Sequence, residues 1–427
     1  MPRVYVHDPI SLPARKRLVT HISGYALYVE RALILARPED VVCTFGAVDS
    51  DYLAYLRELG LGPDPSHVVW PKGPASTCVP VASRICRSPA DIERLVGCLG
   101  SARRCMVSPF FLGPDEVRLA AMLQDAAGVD VLLAGGSPSL SARLALKSVV
   151  REQAERRGVP LPRSRTVRVA RNEGGTLTDP ADIVTAVRCA VDAAGGAVVH
   201  GNDGVAGSAN YMFRRENADP AAICRALGRD GNTTFLVDDL MPADVSPNVL
   251  VNVPLDSEPP VLVGTSDQIL NDALEHQGNI APSRAARLDD MVRDALQLAG
   301  WLQQEGYTGP AGFDFIEWGP PSAPQYALCE LNPRINGASY PLGLLDRLRG
   351  PGCGACLSVN LKTNAASFAQ LREQLAGFLL QPGKSSGLLP YNTGCLRFGK
   401  FTGAFLAASP EDAEHAVAEV RRLPTIE

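Results

Sequence analysis

The sequence predicts an α/β protein, with a mainly parallel α/β layer first and α+β lobes behind it. Three observations carry this. Over residues 1–135 short apolar runs alternate with helical stretches, the pattern of a parallel sheet with crossover helices. Residues 245–270 read as a β-meander, VSPNVLVNVPL followed by PPVLVGTSDQIL. Residues 311–341, AGFDFIEWGPPSAPQYALCELNPRINGASYP, hold two apolar-alternating runs around a Gly/Pro/Ser stretch, which predicts an antiparallel hairpin.

The length of 427 residues suffices for roughly two to four domains with a substantial core. The composition is globular, 46% apolar and 20% charged. A net charge of −5 leaves no basic footprint for nucleic acid. Without a run of 18 apolar residues, no membrane span is expected. MPRVYVHD reads as a first strand rather than a signal peptide. Eleven cysteines lie scattered through apolar segments, as buried, reduced thiols of a cytoplasmic protein would. The single C-x-x-C, Cys353 and Cys356, lacks the second pair that zinc needs.

In the first layer the strand runs are Val4–Val6, Val41–Phe45, His67–Trp70, Cys105–Val107 and Val129–Leu133. Helices are expected over Leu18–Leu35, Asp51–Leu59, Asp91–Leu99 and Asp115–Ala127. No glycine-rich fingerprint follows the first strand, so a dinucleotide domain is not expected. Ser139 is the expected cap of a helix running to Arg157, ended by Gly158 and Val-Pro-Leu-Pro. A helix over Asp182–Ala194 leads to a strand, Ala197–His200, and then the loop GNDGVAGSAN. Gly201, Gly204 and Gly207 permit positive φ and close backbone approach, so the loop suits phosphate, although a plain hairpin turn reads equally well. Residues 233–242, TTFLVDDLMP, are an apolar run ending in acids. Ser283 is the expected cap of a helix with a core stripe of Leu288, Met291, Val292, Ala295, Ala299 and Leu302, stopped by Gly306. Residues 343–380 are expected to be mostly helical. Residues 384–427 read as two strands and a helix capped by Ser409, with Pro410 at its first position.

The hairpin carries the chemistry. Side chains alternate along a strand, so Glu330 and Asn332 share a face. If the hairpin is symmetric about Ser322, Asp314 lies across from Glu330. Facing carboxylates repel, and a hard divalent cation between them removes that cost. Oxygen-only ligands favour magnesium or manganese over zinc. In the turn that follows, Arg334 is placed to reach an anion.

GFDF followed by CELNPRINGASYP resembles the metal-binding end of the ATP-grasp ligases. The resemblance implies a pre-ATP-grasp domain over 1–138, an ATP-grasp domain over 139–380 and a small C-terminal module over 381–427. The lid spans about 139–240 and the large lobe about 241–380. It implies ATP as cosubstrate and Mg2+ or Mn2+ held by Asp314, Glu330 and Asn332, with Arg334 at the transferred phosphate or the substrate carboxylate. Lys147 answers to the lid lysine that meets ATP phosphate. Gly201, Gly204, Gly207 and Ser208 answer to the phosphate loop. His200 stands where the family has a lysine. Asp238 stands where a Glu is usual in the strand that pairs with adenine, and Asp244 reaches toward ribose.

SPNV, SDQIL, GLLPYNTG and FGK narrow the resemblance to the pheganomycin-type peptide ligases, which join a guanidino-bearing amino acid to the N-terminus of a peptide. Asn210, Ser246 and Gln268 would be shared with that group. The implied reaction is amide formation between a carboxylate donor and an amine or peptide acceptor, through an acyl-phosphate. Two alternatives stay open: a nucleotide-binding protein with weakened or lost ligase activity, given His200, and an ATP-grasp kinase or non-peptide ligase. A homodimer also stays open.

Overall fold

The computed structural model describes residues 1–12, 22–72, 79–173, 175–203, 210–228, 230–272 and 274–426. Three sheets organise them. The first is parallel and contains β1 (Arg3–Val6), β2 (Val41–Cys43), β3 (Val68–Val69), β4 (Arg104–Pro109) and β5 (Asp130–Leu133), in the order β3-β2-β1-β4-β5. All five expected strands are present. The helices run Ser50–Glu58, Pro89–Leu99 and Pro114–Ala127, close to expectation. The expected Leu18–Leu35 helix lies partly outside the described residues; what is described is a 3-10 helix, Tyr25–Ile34.

The second sheet is antiparallel: β6 (Ser164–Arg168), β7 (Gly196–Gly201), β8 (Asn210–Arg214) and β9 (Thr234–Asp239), in the order β6-β9-β7-β8. The Ala181–Ala194 helix packs its apolar stripe onto it, burying Ile183, Val187 and Val191 against Val199, Phe235 and Val237. Two corrections apply just before it. Residues 139–157 form two helices, Pro138–Leu144 and Lys147–Arg156, and the cap is Ser137, not Ser139. Ser137 precedes Pro138, and proline suits the first helical position because its missing N–H is unbonded there anyway. Leu144, Val150 and Ala154 of this pair share a core with the third sheet rather than the second.

The third sheet has eight strands: β10 (Pro247–Val253), β11 (Val261–Leu270), β12 (His276–Ala281), β13 (Gly309–Trp318), β14 (Gln325–Asn332), β15 (Ala355–Lys362), β16 (Gly387–Tyr391) and β17 (Lys400–Ala407). Their order is β14-β13-β10-β11-β12-β15-β17-β16. The Leu288–Gln304 helix buries Met291, Ala295, Ala299 and Leu302 against Val249, Val251 and Phe313, as its stripe predicts. Ser283 does not cap it; its hydroxyl bonds Asp267, and Arg287 precedes the first turn without a side-chain cap. β15 interrupts the expected helical stretch. It is covered on nearly its whole length, so its run ACLSVNLK shows no alternation to read. β16 and β17 extend this same sheet, and Ser409 and Pro410 open the last helix as expected.

Glu30 ties the first layer to the C-terminal segment. Its carboxylate accepts from Gly394 N at 2.7 Å, and burial pushes its carboxyl up to about 7. A free Glu titrates near 4.3, so the folded chain holds a proton there that the unfolded chain releases. That contribution is fully present below about pH 4.3 and is lost as pH rises through about 7. Glu30→Gln keeps the acceptor and removes the titration. Relative to the variant, wild type is expected to lose on the order of 3 kcal/mol between pH 4.5 and pH 8. Urea denaturation of both proteins at the two pH values measures the difference. Glu116, also pushed up to about 7 by burial, cancels in that comparison.

Candidate active site

The hairpin places Asp314 opposite Glu330, the expected register, with a bulge directly after Asp314. Asn332 faces Gly312 two pairs along, so Glu330 and Asn332 share a face. On the other side of β13, Asn248 of β10 pairs with Asp314. Asn248 Nδ2 donates to Asp314 Oδ1 at 2.5 Å, and Asn332 Nδ2 donates to Oδ2 at 2.8 Å. Asn248 Oδ1 is buried without a partner. Burial, then the Glu330 charge opposite, pushes the Asp314 carboxyl above the usual carboxylate range. Burial would lift Glu330 too, but the Lys147 ammonium bonded to it holds it below the usual carboxylate range.

These donors fit a hard divalent cation: two facing carboxylates, an orphaned amide oxygen and the Asn332 amide, all oxygen ligands. Among the described residues no three His, Cys, Asp or Glu side chains cluster as a metal site, so amides would complete this one. Gly312 keeps the floor open. A Cβ there would lie 1.9 Å from Asn336 Nδ2 and 3.1 Å from Asn248 Nδ2. Gly312→Ala is therefore expected to displace both asparagines and lower turnover by about 10²-fold, the cost of a misplacement near 1 Å. ADP release against manganese concentration measures it.

Arg334 leaves the hairpin and bends back. Its Nη2 donates to Asn332 Oδ1 at 2.6 Å, its Nη1 to Ile335 O at 3.1 Å, and its guanidinium lies 5.5 Å from the Phe110 ring centre. Lys147 starts the Lys147–Arg156 helix and is 7% exposed. Asn202 accepts from Lys147 N through its carbonyl and from Ser148 N through Oδ1, at 3.0 and 2.9 Å. The helix start is thereby fastened to the end of β7.

His200 sits near the end of β7 between two acceptors. Nδ1 lies 2.9 Å from Asn210 Oδ1, and Nε2 lies 3.2 Å from Asp238 Oδ2. Asp238 also takes both guanidinium nitrogens of Arg151. Burial alone would raise the Asp238 carboxyl, but His200 and Arg151 hold it well below the usual range. Asp238 is thus held by both Arg151 and His200.

Lys147, His200, Asp238, Asp314, Glu330, Asn332 and Arg334 line one cavity of about 790 Å³, together with Asn210, Ser246 and Gln268. Gly201 ends β7 and is buried outside that lining. Asp244 is exposed and does not line it. Gly204, Gly207 and Ser208 lie outside the described residues. Asn248 and Arg151 are the participants that sequence reasoning missed. Asn248 had a signal, an asparagine inside an otherwise apolar strand run, VSPNVLV.

Residues 29–124 match the domain family described as Pre ATP-grasp domain. N5-carboxyaminoimidazole synthetase from Staphylococcus aureus superposes with a TM-score of 0.52 at 8% identity, covering 98% of this chain and 96% of that one. The same enzyme complexed with ADP gives 0.51 at 10% identity, covering 77% and 83%. The chain has the ATP-grasp fold behind a pre-ATP-grasp domain. N5-carboxyaminoimidazole ribonucleotide synthetase from Thermus thermophilus shares this fold, with a TM-score of 0.50 at 14% identity over 89% of this chain and 97% of that one. No curated protein matches the sequence. The cavity lies where the second, antiparallel sheet, the hairpin and the leading parallel layer meet. Among the described residues no helix is long and apolar enough to cross a membrane.

Proposed function

We propose that the chain is an ADP-forming, ATP-dependent carboxylate–amine ligase of the peptide-ligase type. The observation that carries this is the facing pair Asp314 and Glu330, closed by Asn332 and Asn248, with Arg334 beside it in one cavity. Asp314, Glu330 and Asn332 would hold magnesium or manganese. The ion supplies neutralisation of phosphate oxygens.

The chain's residues account for the rest. Arg334 offsets negative charge where the γ-phosphoryl group passes to a substrate carboxylate. The resulting acyl-phosphate is attacked by an amine, giving an amide, phosphate and ADP. Lys147 is the other cation at this point, and it serves phosphate once released from Glu330. The second sheet, with residues 139–240 as the lid, keeps water from the intermediate. The S. aureus relative complexed with ADP supports nucleotide binding in this fold. ELNPRINGASYP, GLLPYNTG and FGK support the peptide-ligase class and a role in specialised peptide biosynthesis. Ten free cysteines among the described residues support a reducing, cytoplasmic setting.

The test is ADP release over a panel of carboxylic acids paired with amines and short peptides, with product masses. ADP formed only with both partners, and a product lighter than their sum by one water, is the expected result. A phosphorylated acid as the end product would make the chain a kinase. ATP binding with no ADP from any pair favours a nucleotide-binding protein, the reading that His200 in place of lysine motivates.

A further inference from the structure

The far end of the same cavity has no role in the chemistry above. It lies against the parallel sheet, whose strand order reverses between β1 and β4. Open α/β sheets take ligands outside the carboxyl ends of their strands at such a reversal. His7 follows β1 and Phe110 follows β4, and both line the cavity.

Two cations occupy this end. The Arg31 guanidinium lies 3.9 Å from the Tyr28 ring centre and 5.7 Å from that of Tyr340. Its Nε is buried and makes no hydrogen bond. The side chains that act on it most are Tyr28, Tyr391, Tyr340 and Cys395, none of them a carboxylate. Lys400 Nζ lies 5.4 Å from the same Tyr28 ring and meets only its hydroxyl, at 3.4 Å. The two like charges therefore flank one ring. Neither has an ion pair among the described residues. Glu30, next to Arg31 in sequence, is turned to Gly394, and Glu275 across the cavity is bonded to Asn271. A third donor stands beside them. His7 is fully buried, and burial pushes its imidazole down to about 3, so the ring is neutral. The Tyr340 hydroxyl lies 3.2 Å from Nδ1, and Nε2 is buried with no partner; in the tautomer in which Tyr340 donates, Nε2 carries the proton.

Cations withdrawn from water are ordinarily paired, and gathering two half-buried ones beside an unpartnered imidazole nitrogen is costly unless an anion joins them. We propose that this end is an oxyanion pocket, in which Arg31, Lys400 and His7 Nε2–H hold a carboxylate of the substrate remote from the bond being formed. Only the question of which molecule carries that carboxylate rests on the ligase reading. A peptide acceptor supplies one at its C-terminus or on an acidic side chain. A phosphate ester has the same chemistry.

The test is calorimetric titration of the full-length chain with diglycine, with diglycine amide and with inorganic phosphate, each with and without saturating Mg·ADP. Wild type is expected to bind diglycine at least about tenfold more tightly than its amide, the worth of a hydrogen bond to a charged group. Arg31→Gln and Lys400→Gln should each remove that preference and leave ATP affinity unchanged. Lys400 is only half-buried, so it decides the matter if Arg31→Gln fails to fold. Binding of phosphate in preference to diglycine, lost in the same variants and retained with Mg·ADP, supports the pocket and makes the substrate group a phosphate ester. The pocket is overturned if wild type binds no probe, if acid and amide bind alike, if the variants bind as wild type, or if phosphate is displaced by Mg·ADP. ADP release from no acid–amine pair, with anion binding intact, would overturn the ligase reading and leave the pocket standing.

Discussion

Asn332→Ala is expected to cut ADP release by more than about 10²-fold, beyond what losing a merely supporting residue costs. Asn332 bonds Asp314 at 2.8 Å and Arg334 at 2.6 Å, so its loss frees the acid and the cation together. The fold should survive, because Asn248 still bonds Asp314. Glu330 needs a different substitution. Lys147 is 7% exposed and bonded to Glu330, so Glu330→Ala would strand a buried ammonium, at a cost of about 3–5 kcal/mol. Glu330→Gln keeps an acceptor for Lys147 and removes the charge. Both variants should lose turnover with unchanged circular dichroism. Near-normal ADP production in either, with the spectrum intact, removes the metal assignment from that residue.

Arg151→Met is expected to lower folding stability by about 3–5 kcal/mol, with no change in the residues that meet the hairpin. Asp238, 3% exposed, would keep only His200 as a partner. The effect should depend on pH in a stated direction. Asp238 is held below its ordinary value, so its contribution is present above about pH 4 and is lost as acid protonates it. In Arg151→Met that acid loss should shrink. Urea midpoints at pH 7 and pH 3 test both statements, and equal midpoints at pH 7 would show that the pair is worth nothing to the fold.

The hairpin was legible because two alternating runs flank one Gly/Pro/Ser stretch, and Asp314 does pair with Glu330, although the bulge after Asp314 left no mark in the sequence. The parallel layer was legible because alternation of runs is local. The partner of Lys147 was not, since Glu330 is 183 residues away and nothing near Lys147 points to it. Arg151 was missed for the same reason, as a mid-helix arginine resembles any solvated one. β15 was missed because both of its faces are covered. The caps went wrong by choosing Ser139 and Ser283 on sequence position alone, when Pro138 already marked Ser137.

The strand order of the third sheet bears on how the chain is made. The segment that completes the sheet, β16 and β17, is synthesised after every other strand. Until it emerges, the open side of β15 is a row of unpaired backbone groups, a template for association with other chains. The first layer is tied to the same segment, because Glu30 reaches Gly394 across 364 residues. A chain cut at residue 380 should therefore be recovered as aggregate, and one that keeps residues 384–407 should not.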